Sequence, residues 1–275
     1  MSIDVKTNTS ALTALNALNR TSRALTRNFE KISTGLRIAR AADDAAGLGV
    51  SESLKADHHS ADVAARNVND GISTIGVAEG AASEVGNILT RLRELAIQSS
   101  SETLANGERS YIQDETGQLI SEVARIASVT EFNGVKLTDG SITSMDVQAG
   151  IQNTTNDRIS ILLGDLTTTG LNITGLNLDT ASNAQAAIDV IDTAISSVSQ
   201  TRSLFGAVEN RLNSSLNNLE SFSEATKTAE SRIRDADFGQ ETASLSQNQI
   251  LQQAGVSILS QAKGLSSAAL TLLQG

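Results

Sequence analysis

The chain contains no cysteine, no proline and no tryptophan, and its aromatic side chains are one tyrosine and five phenylalanines. Without cysteine there is no disulfide, thiolate nucleophile or cysteine-ligated metal. Without proline no missing backbone N–H breaks a long helix. Aromatic side chains carry much of the buried area of compact cores, so their scarcity points to thin cores, one or two side chains deep, of the kind coiled coils build. No run approaches 18 consecutive apolar residues, which argues against a membrane span. The stretch MSIDVKTNTSALTALN has no basic patch followed by an apolar core and is unlike a Sec-type signal peptide. A net charge of −10 argues against nucleic-acid binding, which calls for a basic surface.

What the chain does have is Ala, Leu, Ile and Val at helical spacing. From residue 61 to 99 one stripe runs through Ala61, Ala65, Val68, Ile72, Ile75, Ala78, Ala82, Val85, Leu89, Leu92 and Ala96, in steps of 3 and 4. That is the period of helices that supercoil about one another. A helix of this length spans roughly 60 Å and needs partners to match. Gly71, Gly76, Gly80 and Gly86 within it each cost about 1 kcal/mol relative to Ala; close approach of another backbone would compensate, and simple tolerance is the alternative.

The other segments supply such partners. Ala11, Leu15, Leu18, Ser22, Leu25, Phe29, Ile32 and Leu36 form an unbroken heptad stripe, with seven Lys or Arg against Asp4 and Glu30 in the first 40 residues. The regular 3.5 repeat favours pairing with a helix over lying on a membrane. Thr34 to Ala42 reads as a connector, with Asp43 or Asp44 as a helix cap. Asn106-Gly107 reads as a turn, and Ile112, Thr116, Leu119, Val123 and Ile126 as a shorter helix running back. Asn133-Gly134 and Asp139-Gly140 are turn dipeptides, and MDVQAGIQNTTNDRISILLGDL reads as two short strands joined at Asn153 to Asp157. Helix returns after Ser182, which with Gln185 suggests a capping box. It carries Ala184, Ile188, Ile191, Ile195, Val198, Arg202, Phe205, Glu209, Leu212, Leu216 and Leu219, with Arg202 and Glu209 as polar intrusions that fix register. Gly239 breaks the pattern, and a last stripe runs through Leu251, Ala254, Ile258, Gln261, Leu265, Ala268 and Leu272. From Gln240 onward the only charges are Glu241 and Lys263, a poor surface for a soluble monomer and a pointer to self-assembly.

The expected fold is therefore mainly α: a long coiled-coil rod with paired N- and C-terminal helices and a small β-hairpin region in the middle. Candidate chemistry is sparse. His58-His59 with Asp57 and Asp62 is the only metal-like cluster; His58 and Asp62 stand four apart, but two ligands make a poor site and an exposed helix face is the default reading. No HExxH, GxGxxG, P-loop or GxSxG motif occurs. No catalytic residue, cofactor or metal is expected.

Several motifs resemble bacterial flagellin: ISTGLRIARAADDAAGLGVSESLK, RNVNDGISTIGVAEGA, RLRELAIQSS, IASVTEFNGVKL, SRIRDADFGQETASLSQNQILQQAGVSIL and LTLLQG. The resemblance covers about residues 1–137 and 184–275. It implies that 1–43 and 238–275 form a terminal coiled-coil domain in the filament's inner tube. Residues 44–130 and 180–237 would form a helical rod domain, and 131–179 its β-hairpin region, without the family's large outer domains. Within RIARAADD the family's common form is closer to RINSAKDD, so Ala39, Arg40 and Ala42 alter the polar contacts of that connector.

The resemblance also implies self-polymerisation into an extracellular flagellar filament through seams that include Leu15, Leu18, Leu25, Phe29, Ile32, Leu251, Ile258, Leu265 and Leu272. It implies secretion, unfolded, through the flagellar channel, a dedicated export chaperone on the C-terminal helices, and cap and hook-junction proteins as partners. Recognition by the toll-like flagellin receptor of hosts would involve Leu89, Arg91, Leu95 and Glu115. A hook–filament junction protein is a near alternative. A chemoreceptor-like signalling hairpin is another, against which the NG, DG and strand-like middle argues.

Overall fold

In a computed structural model the backbone is described for residues 7–274 and side chains for residues 7–264. Among the described residues five α-helices carry most of the length: α1 (Thr9–Thr34), α2 (Ala45–Ser99), α3 (Asn106–Val129), α4 (Ala181–Arg234) and α5 (Phe238–Gln274). Between α3 and α4 lie four strands, β1 (Glu131–Phe132), β2 (Val135–Lys136), β3 (Ser144–Gln148) and β4 (Arg158–Leu162). The chain divides into two compact units, 57–224 and the two ends 1–56 with 225–275. The divisions fall within α2 and α4 and not at loops.

In the unit of the two chain ends, α1 packs on α5. Asn8 caps α1 by accepting the Ala11 N–H at 2.9 Å and donates its own amide to the Ala262 carbonyl at 2.9 Å. At the other end of α1, Lys31 meets Glu241 at 3.1 Å. Residue 8 opposite 262 and residue 31 opposite 241 make the pair antiparallel. Helix α1 stops at Gly35, whose φ of 71° places it in the left-handed region that glycine adopts without a Cβ penalty. The connector then returns: Leu36 bridges Asp235, and Arg37 N donates to the Arg234 carbonyl at 2.7 Å.

Both aspartates of the connector cap, each differently. Asp43 Oδ2 accepts from the backbone N–H of Ala39 and Arg40 at 3.3 and 3.0 Å, closing the turn. Asp44 Oδ1 accepts from Gly47 N at 2.9 Å and starts α2, sixteen residues before the stripe that revealed the helix. Gly47 has no room for a side chain, since a Cβ there would lie 2.8 Å from Ile38 Cδ1.

In the unit 57–224 every position of the α2 stripe is buried except Ala65 and Ile72, which are half-buried. Arg93 pairs with Asp192 at 2.6 Å and Arg202 with Glu79 at 3.6 Å, so α4 runs antiparallel to α2. Arg109 N–H groups reach the Ser99 and Ser101 carbonyls at 3.0 and 2.9 Å while Arg91 meets Glu115 at 2.8 Å, so α3 also runs back along α2. Each fully buried Leu or Ile in such a seam contributes roughly 1.5–3 kcal/mol.

Four local expectations change. Asn106 and Gly107 are the first residues of α3, not a turn, because the Glu108 carboxylate accepts the Ala105 N–H at 3.1 Å and stabilises the helix start there. Helix α4 is capped by Thr180, whose hydroxyl accepts from Asn183 N at 3.2 Å, and not by Ser182. Gly239 lies in the first turn of α5; the break is at residues 235–237, where Asp237 Oδ1 accepts from Gly239 N and Gln240 N at 2.8 and 3.1 Å. Arg202 is exposed and not a seam residue, and the buried stripe of α4 takes in Ala187, Ala194 and Val208.

The middle region packs into this core. Asn133 and Gly134 have φ of 50° and 78° and make the two-residue turn of β1–β2, as strand twist favours. Strands β3 and β4 pair antiparallel, with Met145 opposite Ile161 and Val147 opposite Ile159. Val147, Ile159 and Ile161 are buried while Leu162 points out. The loop 163–180 adds Leu166, Ile173 and Leu178 to the core, and Gln113 holds it by donating to the Leu176 carbonyl at 3.2 Å and accepting from Leu178 N at 2.6 Å.

Candidate assembly surface

Two helices facing each other can cover only one stripe apiece. On α1 the side turned to α5 includes buried Asn28 and half-buried Leu18, Leu25 and Ile32. Leu15 and Phe29, two heptads apart, remain 45% and 50% exposed, and Leu12 is 57% exposed. On α5 the side turned to α1 mixes small and amide side chains with half-buried Leu245 and Leu259. Ala262 is 8% exposed, and a Cβ on Gly255 would lie 3.3 Å from Leu18 Cδ1. The stripe read as the C-terminal seam points elsewhere: Leu251 is 48% and Ile258 56% exposed. Ile250 and Val256 are exposed beside them. The side chains of Leu265 and Leu272 lie outside the described residues.

The connector shows what the sequence departures do. Arg40 Nε donates to Glu30 Oε1 at 2.6 Å, and Ala39 and Arg40 use only their backbone N–H groups on Asp43. Arg40 thus ties the connector back to α1 through an ion pair.

In the unit 57–224 the four residues expected to take part in receptor recognition, Leu89, Arg91 and Leu95 on α2 and Glu115 on α3, separate into two kinds. Leu89 and Leu95 are buried, at 0% and 1% exposure, inside the chain's own core. Arg91 and Glu115 are on the surface. Arg91 donates from Nε and Nη2 to Glu115 Oε1 at 3.0 and 2.8 Å and from Nη1 to Glu94 Oε2 at 2.9 Å. Glu115 first and then Glu94 hold the Arg91 guanidinium above its ordinary basicity. The same logic raises Arg93 beside Asp192.

Three open grooves of about 380, 450 and 400 Å³ flank the β3–β4 hairpin. Among the described residues that line them there is no histidine, lysine or arginine. Among the described residues, the side chains placed so that they can hold a metal are His58, His59 and Asp62 on α2. No described helix is long and apolar enough to cross a membrane.

Sequence reasoning missed Arg109, which is 6% exposed and braces the α2–α3 turn; no pattern marks a buried arginine on an otherwise polar helix start. Gln113 was missed for the same reason.

Long heptad helices, paired chain ends and apolar stripes left uncovered define a helical subunit of a structural assembly. Comparison with known proteins gives the family. The model of the bacterial flagellin N-terminal helical region matches residues 5–143, and that of the C-terminal helical region matches residues 188–273. A flagellin of Halalkalibacterium halodurans is 42% identical over 246 residues, 90% of each chain. The flagellar filament 33 kDa core protein of Treponema phagedenis is 35% identical over 281 residues, 97% of this chain and 98% of that one. The crystal structure of Bacillus cereus flagellin aligns with a TM-score of 0.51 and 31% identity, covering 56% of this chain and 88% of that one. The chain belongs to the bacterial flagellin family.

Proposed function

We propose that this chain polymerises through α1 and α5 into the extracellular filament of a bacterial flagellum and serves swimming as a structural, non-catalytic subunit. The observation that carries the reading is the pair of uncovered stripes, Leu15 and Phe29 on α1 and Leu251 and Ile258 on α5, all at least 45% exposed in the single chain. Contiguous exposed apolar surface marks an interface, and a heterologous contact that does not close on itself propagates as an open helix. Residues 1–43 and 238–275 line the inner tube in this reading, with 44–130 and 180–237 in the rod domain and 131–179 at its hairpin. Leu18, Leu25 and Ile32 contribute to both the α1–α5 contact and the seam beyond it, and Leu265 and Leu272 continue the seam.

The chain reaches its site by export, unfolded, through the flagellar channel, with a chaperone on the C-terminal helices and cap and hook-junction proteins at the filament ends. The exposed Arg91–Glu115 pair presents the charged surface that the toll-like flagellin receptor of hosts reads, with Leu89 and Leu95 shaping it from inside. The test of assembly is pelleting after addition of short filament seeds. Phe29→Ser with Ile258→Ser is expected to stay in the supernatant while its monomer keeps native helix content. Pelleting equal to the unaltered chain would refute the proposed seam.

A further inference from the structure

His58, His59 and Asp62 occupy little more than one turn of α2, and the ligand atoms they offer all lie within 4.8 Å of one another. Sequence spacing makes only a pair of them: His58 and Asp62 are four apart, whereas adjacent residues on an ideal helix diverge by about 100°. The structure brings the third in. The two imidazole rings lie with centroids 4.3 Å apart and planes tilted by 41°, so His59 turns toward the same patch as His58.

The surroundings suit an ion. His58 is 7% exposed, Asp62 is half-buried and His59 is exposed, so the patch has a walled side and an open side. From α4, Ser223, 6% exposed, donates its hydroxyl to Asp62 Oδ1 at 2.7 Å. Outer partners of this kind fix the rotation of a metal-bound carboxylate.

We propose that His58, His59 and Asp62 bind one divalent ion of the zinc class, with water completing the coordination. Two imidazoles and one carboxylate are one of the ligand sets of three-ligand zinc sites and disfavour magnesium and calcium, which take oxygen ligands. Tetrahedral zinc with bonds near 2.1 Å sets its donors about 3.4 Å apart, so small rotations of the exposed His59 and half-buried Asp62 close the site. The bound ion ties one turn of α2 together and, through Asp62 and Ser223, braces it to α4. The inference stands on this cluster alone and is independent of the filament reading.

The test is calorimetric titration of zinc sulfate into the untagged full chain, stripped with EDTA and kept monomeric, with magnesium sulfate as comparison. The expected result is saturation at one zinc per chain, with no matching response to magnesium. Binding weakens at least about tenfold in His59→Asn and in Asp62→Asn, and circular dichroism shows unchanged helix content. His59 is chosen because its exposed side chain can be replaced without opening the core. Absence of saturable zinc binding, an equal response to magnesium, or unaltered binding in His59→Asn overturns the proposal.

Discussion

Val147 on β3 reaches the backbone of α2 at Gly71: a Cβ built on Gly71 would lie 2.9 Å from Val147 Cγ2, with Leu212 Cδ1 on α4 at 3.5 Å. One glycine thus lets a strand side chain and a helix side chain meet on α2. Gly76 and Gly80, in contrast, are exposed with nothing within 4 Å of such a Cβ.

Gly71 and Gly76 should therefore respond in opposite directions. Gly71→Val forces a stiff β-branched neighbour to move, an overpacking that costs about 1–3 kcal/mol. Gly76→Ala relieves a helix glycine and stabilises by up to about 1 kcal/mol. The midpoint of urea unfolding of the monomer, lower for the first and higher for the second, checks both.

Arg109→Ala removes the donors that satisfy the Ser99 and Ser101 carbonyls and Asn106 Oδ1. Leaving these groups without partners is expected to cost about 1–3 kcal/mol. Lys should not rescue, because a point ammonium cannot reproduce the planar fork. Equal stability of the unaltered and Arg109→Lys chains in thermal unfolding would contradict this.

The Arg91 region yields a pair of outcomes that separate surface from core. On the proposed receptor reading, Arg91→Ala is expected to weaken binding of the toll-like flagellin receptor by about tenfold or more, as loss of an interface arginine does, with stability little changed, as for exposed pairs. Leu95→Ala opens the core and should lower stability by about 2–5 kcal/mol. Surface plasmon resonance with soluble receptor, beside urea unfolding, measures both.

Acid should act through two exposed carboxylates. The Arg125 guanidinium, donating to Glu122 at 2.6 and 2.8 Å, holds that carboxyl below its ordinary 4.5. The hydroxyl and backbone N–H of Ser141, at 2.6 and 3.0 Å, hold Asp139 below its ordinary 3.8. In both, the unfolded chain binds the proton more readily, so the stabilisation is present above the ordinary value and is lost as pH falls through the lower folded value. Glu122→Gln should flatten the decline of the urea midpoint below about pH 4.5, and Asp139→Asn below about pH 3.8.

How much of this was legible follows from what a stripe encodes. Heptad spacing located α1, α2, α3 and α4, and the Asn133-Gly134 turn and the β3–β4 pair were visible as turn chemistry and alternation. A stripe does not say which partner covers it. Leu15, Phe29, Leu251 and Ile258, read as assembly-seam positions together with Leu18, Leu25 and Ile32, are exposed, whereas Asn28 and Ala262 are buried and Leu18, Leu25 and Ile32 half-buried; the heptad alone does not separate the two sets. Leu89 and Leu95 were read together with Arg91, although neighbours on a helix point to different sides. The Thr180 cap and the helical start at Asn106 turn on single hydrogen bonds that neighbouring polar residues imitate in sequence.

Seeded polymerisation tests the central claim most directly. Monomer dissociated by heat or acid is returned to neutral pH with short seeds and imaged by negative-stain electron microscopy, beside a chain lacking residues 240–275. Long filaments from the intact chain and none from the truncated one are predicted, because removal of α5 takes away Leu251, Ile258 and the helix that holds α1. Small closed oligomers from the intact chain, or filaments from both, would contradict assembly through the terminal helices.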